Sequence, residues 1–173
     1  EGEFKTLTGN QVGSLLLDYI ITAYKEKGIE LKHPYAVKTI VSTELATKIC
    51  KENGVVLHNV LTGFKFIGEV IKNYEAKGYG DFLLGFEESY GYLKGTYARD
   101  KDAVVATMLI CEMAAYYMQK GMTLYDALIA LYEKYGYYFE GVQNIYMEGV
   151  DGKAKMDAFM ENLRKNPLEA LGG

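Results

Sequence analysis

The sequence predicts an α/β fold in three layers, with a small, mainly parallel or mixed sheet flanked by helices and a C-terminal strand-helix appendage. Two observations carry that prediction. Segments of strand character alternate three times with segments of helical apolar spacing before Ala103, and such an alternation folds as a parallel sheet covered by helices. The composition, 49% hydrophobic and 24% charged over 173 residues, is that of an ordinary globular chain. It is long enough for one domain that buries roughly 70% of its unfolded surface.

The elements follow in order. Thr8 and Gln11 have the spacing of a capping box, so a helix starts there, with Val12, Leu15, Leu16, Tyr19, Ile20 and Ala23 on one face and Gly28 as its terminator. His33-Pro34 breaks the chain, and residues 36–41 have the β-branched character of a strand. Ser42 or Thr43 can cap the next helix, which turns Leu45, Ala46, Ile49 and Cys50 inward and ends at Asn53-Gly54. Residues 55–60 form a second strand. Thr62 can cap a third helix, with Phe64, Ile67, Ile71 and Tyr74 inward. Gly78 and Gly80 separate it from a third strand at residues 82–86. From Ala103 to Met118 the only charge is Glu112, so that helix is expected to be buried on most sides. Gly121 ends it, Thr123 with Asp126 caps one more helix, and Gly136 closes that element. Residues 137–147 then have strand character, and residues 154–163 form an amphipathic helix with Met156, Phe159, Met160 and Leu163 on one side. The expected division is a domain over 1–136 and a tail over 137–173.

Bulk properties narrow the function. A net charge of -4 argues against a nucleic-acid or anionic-membrane surface, which needs clustered positive charge. Cys50 and Cys111 each fall within a helical apolar pattern and are expected as buried thiols. With only His33 and His58 beside them, no metal-ligand spacing arises. No signal peptide opens the chain and no stretch approaches the roughly 20 apolar residues of a membrane span, so a cytoplasmic location fits. The chain begins Glu1-Gly2-Glu3 rather than with methionine, as an excised piece of a larger protein would.

The chemistry concentrates in Gly85-Phe86-Glu87-Glu88-Ser89-Tyr90-Gly91 and the Arg99-Asp100-Lys101-Asp102 that follows. A carboxylate can accept hydrogen bonds from two neighbouring hydroxyls, and a serine both donates and accepts, which suits a sugar. Glu87 and Ser89, two apart, would project to the same side of an extended segment, with Glu88 pointing away. Lys101 and Arg99 bring positive charge to the start of the next helix, whose free N–H groups also favour an anion such as phosphate. The same run can equally be a solvated helix start with Asp100 or Asp102 as N-cap. Lys65, one turn into the third helix, can face a phosphate or only water.

Those two motifs together resemble the sugar-binding loop of the α-D-phosphohexomutases, the family of phosphoglucomutase and phosphomannomutase. Leu61-Thr62-Gly63-Phe64-Lys65-Phe66-Ile67-Gly68 is similar to another substrate-facing loop of that family, and Thr8-Gly9-Asn10-Gln11-Val12-Gly13 resembles the start of its third domain. The likeness covers the whole chain and is nearest to the bacterial phosphoglucomutases. It implies the sugar-recognition domain of an enzyme that interconverts hexose 1-phosphate and hexose 6-phosphate through a phosphoserine and a bisphosphate intermediate. Glu87 and Ser89 would then hold ring hydroxyls, with Lys101 and Thr62 assisting near a phosphate. The serine and the magnesium loop would lie in other domains of the parent enzyme, leaving this piece with no catalytic residue, no metal ligand and no turnover of its own. Residues 137–173 would be the incomplete start of the C-terminal domain, its strand left with an unpaired edge. Phosphomannomutase or phosphopentomutase activity, or a binding module without chemistry, are the alternatives.

Overall fold

The computed structural model describes residues 4–142, 144–149 and 151–168. Helix α1 (Gly9–Glu26) opens with the expected capping box, in which the Gln11 N–H donates to Thr8 Oγ1 and the Thr8 N–H to Gln11 Oε1. The three expected strand-helix units follow as β1 (Tyr35–Thr39), α2 (Leu45–Glu52), β2 (Val56–Val60), α3 (Phe64–Lys77) and β3 (Phe82–Glu87). A short strand, β4 (Gly91–Leu93), then precedes α4 (Ala103–Gln119), α5 (Leu124–Tyr135) and α6 (Gly152–Lys165).

The sheet order is β2-β1-β3-β4. β1 pairs in parallel with both β2 and β3, and β4 runs antiparallel against β3. The sheet is therefore mixed. β4 was not expected from the sequence, because its three residues are too few to show a pattern and its hairpin is closed by Tyr90 at φ +64 rather than by a glycine. A left-handed residue closing a three-residue hairpin loop is an established geometry, but glycine or asparagine usually supplies it.

Two cores cover the two faces. One packs Leu15, Leu16, Ile20, Ile49, Leu84, Phe86, Met113 and Leu128 between the sheet and α1, α2, α4 and α5. The other sets Phe64, Ile67 and Ile71 of α3 against Tyr35, Val37, Phe82 and Leu93. Each fully buried aliphatic side chain contributes about 1.5–3 kcal/mol. Lys38 is completely buried in β1, and its ammonium donates to the Ser42 carbonyl at 3.1 Å and to Glu44 at 2.9 Å. A buried charge must be paired in this way. The pairing folds the loop after β1 over the strand end.

Several caps differ from expectation. Glu44 and Gly63 occupy the N-cap positions of α2 and α3, so neither Ser42 nor Thr62 caps a helix. Thr43 Oγ1 accepts from the Leu45 N–H instead. Asp102, of the two candidates, caps α4, and Thr123 with Asp126 forms a second capping box at α5. Cys50 is buried, its thiol pushed up to about 12 by burial, whereas Cys111 is exposed. α4 is not buried on most sides: Ala106, Leu109 and Met113 face the core, and Val104, Met108 and Met118 face outward.

The chain divides into two compact units, Glu1–Phe139 and Glu140–Gly173. Among the described residues of 137–147 there is no strand, so the expected unpaired edge does not form. Strand-like composition alone does not make a strand there. α6 is longer at both ends than predicted, with Met156 and Leu163 half-buried and Phe159 and Met160 largely exposed.

Candidate functional site

Because β1, β2 and β3 run parallel in register, with Thr39 beside Val60 and Lys38 beside Phe86, their C-terminal ends share one edge. The loops after them, carrying Ser42-Thr43, Thr62-Gly63 and Glu87-Ser89, open there. Open α/β sheets bind ligands at this edge.

Glu87 is the last residue of β3 and is only 8% exposed. Its Oε1 accepts the Gly63 N–H at 3.0 Å, which places the carboxylate at the N-terminal end of α3, where negative charge is favoured. No ion pair holds it among the described residues. One oxygen is thereby committed to the backbone, so the expectation that both are free for hydroxyls is too generous. Oε2 lies beside Gly91: a methyl group there would sit 3.2 Å from it and 2.6 Å from Lys101 Cδ. The Lys101 stem thus crosses the bare backbone of Gly91 next to Glu87. Its ammonium lies 3.1 Å from Asp100 and 5.4 Å from the centre of the Phe64 ring.

The segment after Glu87 does not stay extended. Glu88, Ser89 and Tyr90 form the turn of the β3-β4 hairpin, so the two-residue alternation placing Ser89 alongside Glu87 does not apply. Ser89 is exposed at the hairpin tip. Glu88 does not point into solvent, because its Oε2 lies 3.4 Å from Thr39 Oγ1 at the end of β1. Thr62 is exposed beside Gly63.

The surroundings of the expected phosphate position are partly engaged. Two N–H groups at the start of α4 are taken, since Asp102 Oδ1 accepts from Val104 at 2.8 Å and Val105 at 3.1 Å. Arg99 turns away, donating to Glu75 of α3 and to the Thr96 carbonyl. Lys101 keeps its stem beside Gly91 and Glu87, with its ammonium paired to Asp100. Lys65 is exposed, its ammonium 4.9 Å from the Phe66 ring centre.

Sequence reasoning missed the groups that brace this edge. Asn10, in the first turn of α1, accepts the Thr43 N–H at 3.0 Å. Tyr92 Oη donates to the Gly9 carbonyl at 2.9 Å, and Tyr90 Oη to the Leu7 carbonyl at 3.1 Å. The hairpin is thus clamped to the start of α1. Its Thr-Gly-Asn run had offered a signal, since a glycine at a helix start permits a close approach of backbone. A concavity of about 740 Å³, lined by Tyr35, Tyr74, Tyr79 and Asp81, lies at the opposite edge of the sheet. Among the described residues no group of three His, Cys, Asp or Glu side chains converges as a metal site, and no helix is long and apolar enough to cross a membrane.

The architecture is that of a three-layer α/β domain with its polar loops gathered at the C-terminal sheet edge. Residues 8–135 match the family described as phosphoglucomutase/phosphomannomutase, alpha/beta/alpha domain III, and the chain belongs to that family. The phosphoglucomutase of Staphylococcus aureus strain bovine RF122 / ET3-1 is 37% identical over 172 residues, covering 99% of this chain and 30% of that protein. That of strain MRSA252 is 36% identical with the same coverage. The chain therefore spans about three tenths of the length of these relatives. Among solved structures, the exocytosis-sensitive phosphoprotein pp63/parafusin, a phosphoglucomutase of Paramecium in an open form, superposes with a TM-score of 0.64 at 22% identity. It covers 92% of this chain and 26% of that one, a likeness of fold.

Proposed function

We propose that this chain is the sugar-recognition domain of a larger cytoplasmic phosphohexomutase of the phosphoglucomutase type. The whole enzyme would move a phosphoryl group between O1 and O6 of a hexose, with its nucleophilic serine and magnesium ligands in other domains. The observation that supports this most is the setting of Glu87. A backbone N–H fixes one carboxylate oxygen and leaves the other beside Gly91, flanked by the Lys101 stem. A fixed acceptor with a cation nearby suits a sugar hydroxyl on a phosphorylated substrate.

Ser89 at the hairpin tip and Thr62 beside Gly63 would add adaptable hydroxyl contacts. Lys101 would balance substrate charge. Magnesium, where bound, would stabilise charge on the transferring phosphoryl group. This domain alone would bind without turnover, and weakly, because a few hydrogen bonds of about 1 kcal/mol net each must offset the cost of immobilising the ligand.

The test is an isomerisation assay of the longer enzyme in which this segment lies, with glucose 1-phosphate, mannose 1-phosphate and ribose 1-phosphate. The expected result is turnover of the hexose phosphates and a fall in kcat/KM of roughly 100-fold in Glu87→Gln, the loss of about 2–3 kcal/mol of transition-state binding. Unchanged kcat/KM in that variant would remove Glu87 from the site, and absence of any turnover would favour a binding module.

A further inference from the structure

The outward face of α4 is apolar where a surface helix is ordinarily charged. Val104 is 81% exposed, Met108 57% and Met118 72%. Thr107, Cys111 and Ala115 are exposed beside them. At 100° per residue these six side chains fall within one arc of the helix. The lone charge in α4 before its C-cap, Glu112, lies at the margin of that arc and accepts the Tyr19 hydroxyl at 2.7 Å. A helix that is apolar on all sides is a buried helix. Here one side has its partner within the domain and the other does not.

The shape of the face is also specific. Ala103, Thr107, Cys111 and Ala115 recur every fourth residue, a row of small side chains flanked by Val104 and Met108 on one side and Met118 on the other. A low row along the four-residue spacing is a groove that receives the ridge of another helix. α4 begins at Ala103, two residues after Lys101, so whatever covers Val104 stands next to the Glu87 and Lys101 edge.

We infer that the α4 face Val104-Thr107-Met108-Cys111-Ala115-Met118 is the docking surface for another domain of the same polypeptide, which seats an apolar helix there and walls one side of the sugar site. The inference rests on the reading of this chain as one domain of a larger enzyme. Two facts select that occupant over a second copy. The relatives are about three times longer and match this chain end to end, so most of the polypeptide is available to cover it. The patch also adjoins a ligand edge that is open on its own, whereas small-molecule sites are enclosed.

The chain carries its own reporter. Cys111 sits within the patch, and Cys50 is buried as an internal reference. The experiment measures N-ethylmaleimide labelling of both thiols by mass spectrometry, in the 173-residue chain and in the longer enzyme. The expected result is rapid labelling of Cys111 in the chain alone, protection of at least tenfold in the longer enzyme, and recovery of labelling in the longer enzyme carrying Met108→Lys. Cys50 should stay unlabelled in all three. Equal Cys111 rates in the chain and the longer enzyme would overturn the assignment. So would protection in the chain alone that grows with its concentration, since the occupant would then be a second copy. The isomerisation assay separates the two readings: an active enzyme with unprotected Cys111 leaves the function standing and removes the docking surface, while an inactive enzyme with protected Cys111 does the reverse.

Discussion

The carboxylate of Glu87, at the end of β3, accepts the backbone N–H of Gly63, at the start of α3, across a sequence separation of 24 residues. The bond ties two loops of the C-terminal sheet edge together and sets the direction of the remaining oxygen. Removing the carboxylate in Glu87→Ala leaves a part-buried N–H without its acceptor. The expected cost is about 1–3 kcal/mol in urea unfolding, with Glu87→Gln, which retains an acceptor, losing less than about 1 kcal/mol. Equal losses in both variants would mean that the Gly63 bond does not stabilise the fold.

Gly91→Ala should separate stability from ligand binding. The added methyl meets the flexible Lys101 stem at 2.6 Å and Glu87 Oε2 at 3.2 Å, both side-chain atoms that can yield. The fold should change by less than about 1 kcal/mol, because lost chain entropy in the unfolded state offsets the crowding. Sugar phosphate binding should weaken several-fold as Lys101 is displaced. A titration of this variant indistinguishable from the wild type would place Lys101 outside the site.

Gly9→Ala is expected to behave differently. A methyl at this position would lie 2.0 Å from the Glu88 carbonyl oxygen, a backbone atom that moves only if the hairpin moves. The predicted cost is about 3 kcal/mol, the upper end for overpacking, and a fall in Tm on the order of 10 °C. A scanning calorimetry trace within a degree or two of wild type would contradict the clamp between α1 and the hairpin.

Acid should loosen the helix starts. The Tyr97 hydroxyl, then the N–H groups of Val105 and Val104, hold the Asp102 carboxyl below its usual range, and the Thr123 hydroxyl and N–H do the same for Asp126. A carboxyl with a folded pKa below its unfolded value adds stability that is present above about pH 4 and lost as pH falls through the folded value. Urea midpoints should therefore drop on acidification below about pH 4, and less so in Asp102→Asn with Asp126→Asn, where asparagine keeps an acceptor oxygen at the α4 cap and in the α5 capping box but does not titrate. Parallel pH profiles would show that the caps do not carry this dependence.

How much of this was legible in the sequence depends on the range of the interactions. The capping boxes Thr8-Gln11 and Thr123-Asp126 span three residues and were readable as written. So was the alternation that builds the parallel strands. The cap of α3 was not, because the acceptor at Gly63 comes from Glu87 rather than from Thr62 next door. The hairpin escaped because Tyr90 takes a backbone conformation that its side chain does not advertise. α4 was misjudged for a different reason: apolar composition signals that a face will be covered, but not whether its own domain supplies the cover. For the proposed site, motif likeness pointed to Glu87, Ser89, Thr62 and Lys101, and the fold changed how Glu87 and Ser89 are set: one carboxylate oxygen holds the Gly63 N–H, and Ser89 lies in the hairpin turn. Asn10, Glu88 and Tyr92 brace that edge through contacts between distant segments, which no local pattern encodes.

The most direct test is a ¹H–¹⁵N NMR titration of the 173-residue chain with glucose 1-phosphate into the millimolar range, alongside its Glu87→Gln variant. The account predicts saturable shifts confined to Gly63, residues 87–91 and Lys101 in the wild type, and their loss in the variant. Shifts that persist unchanged in Glu87→Gln, or that cluster around Tyr74 and Tyr79 at the opposite sheet edge, would contradict it.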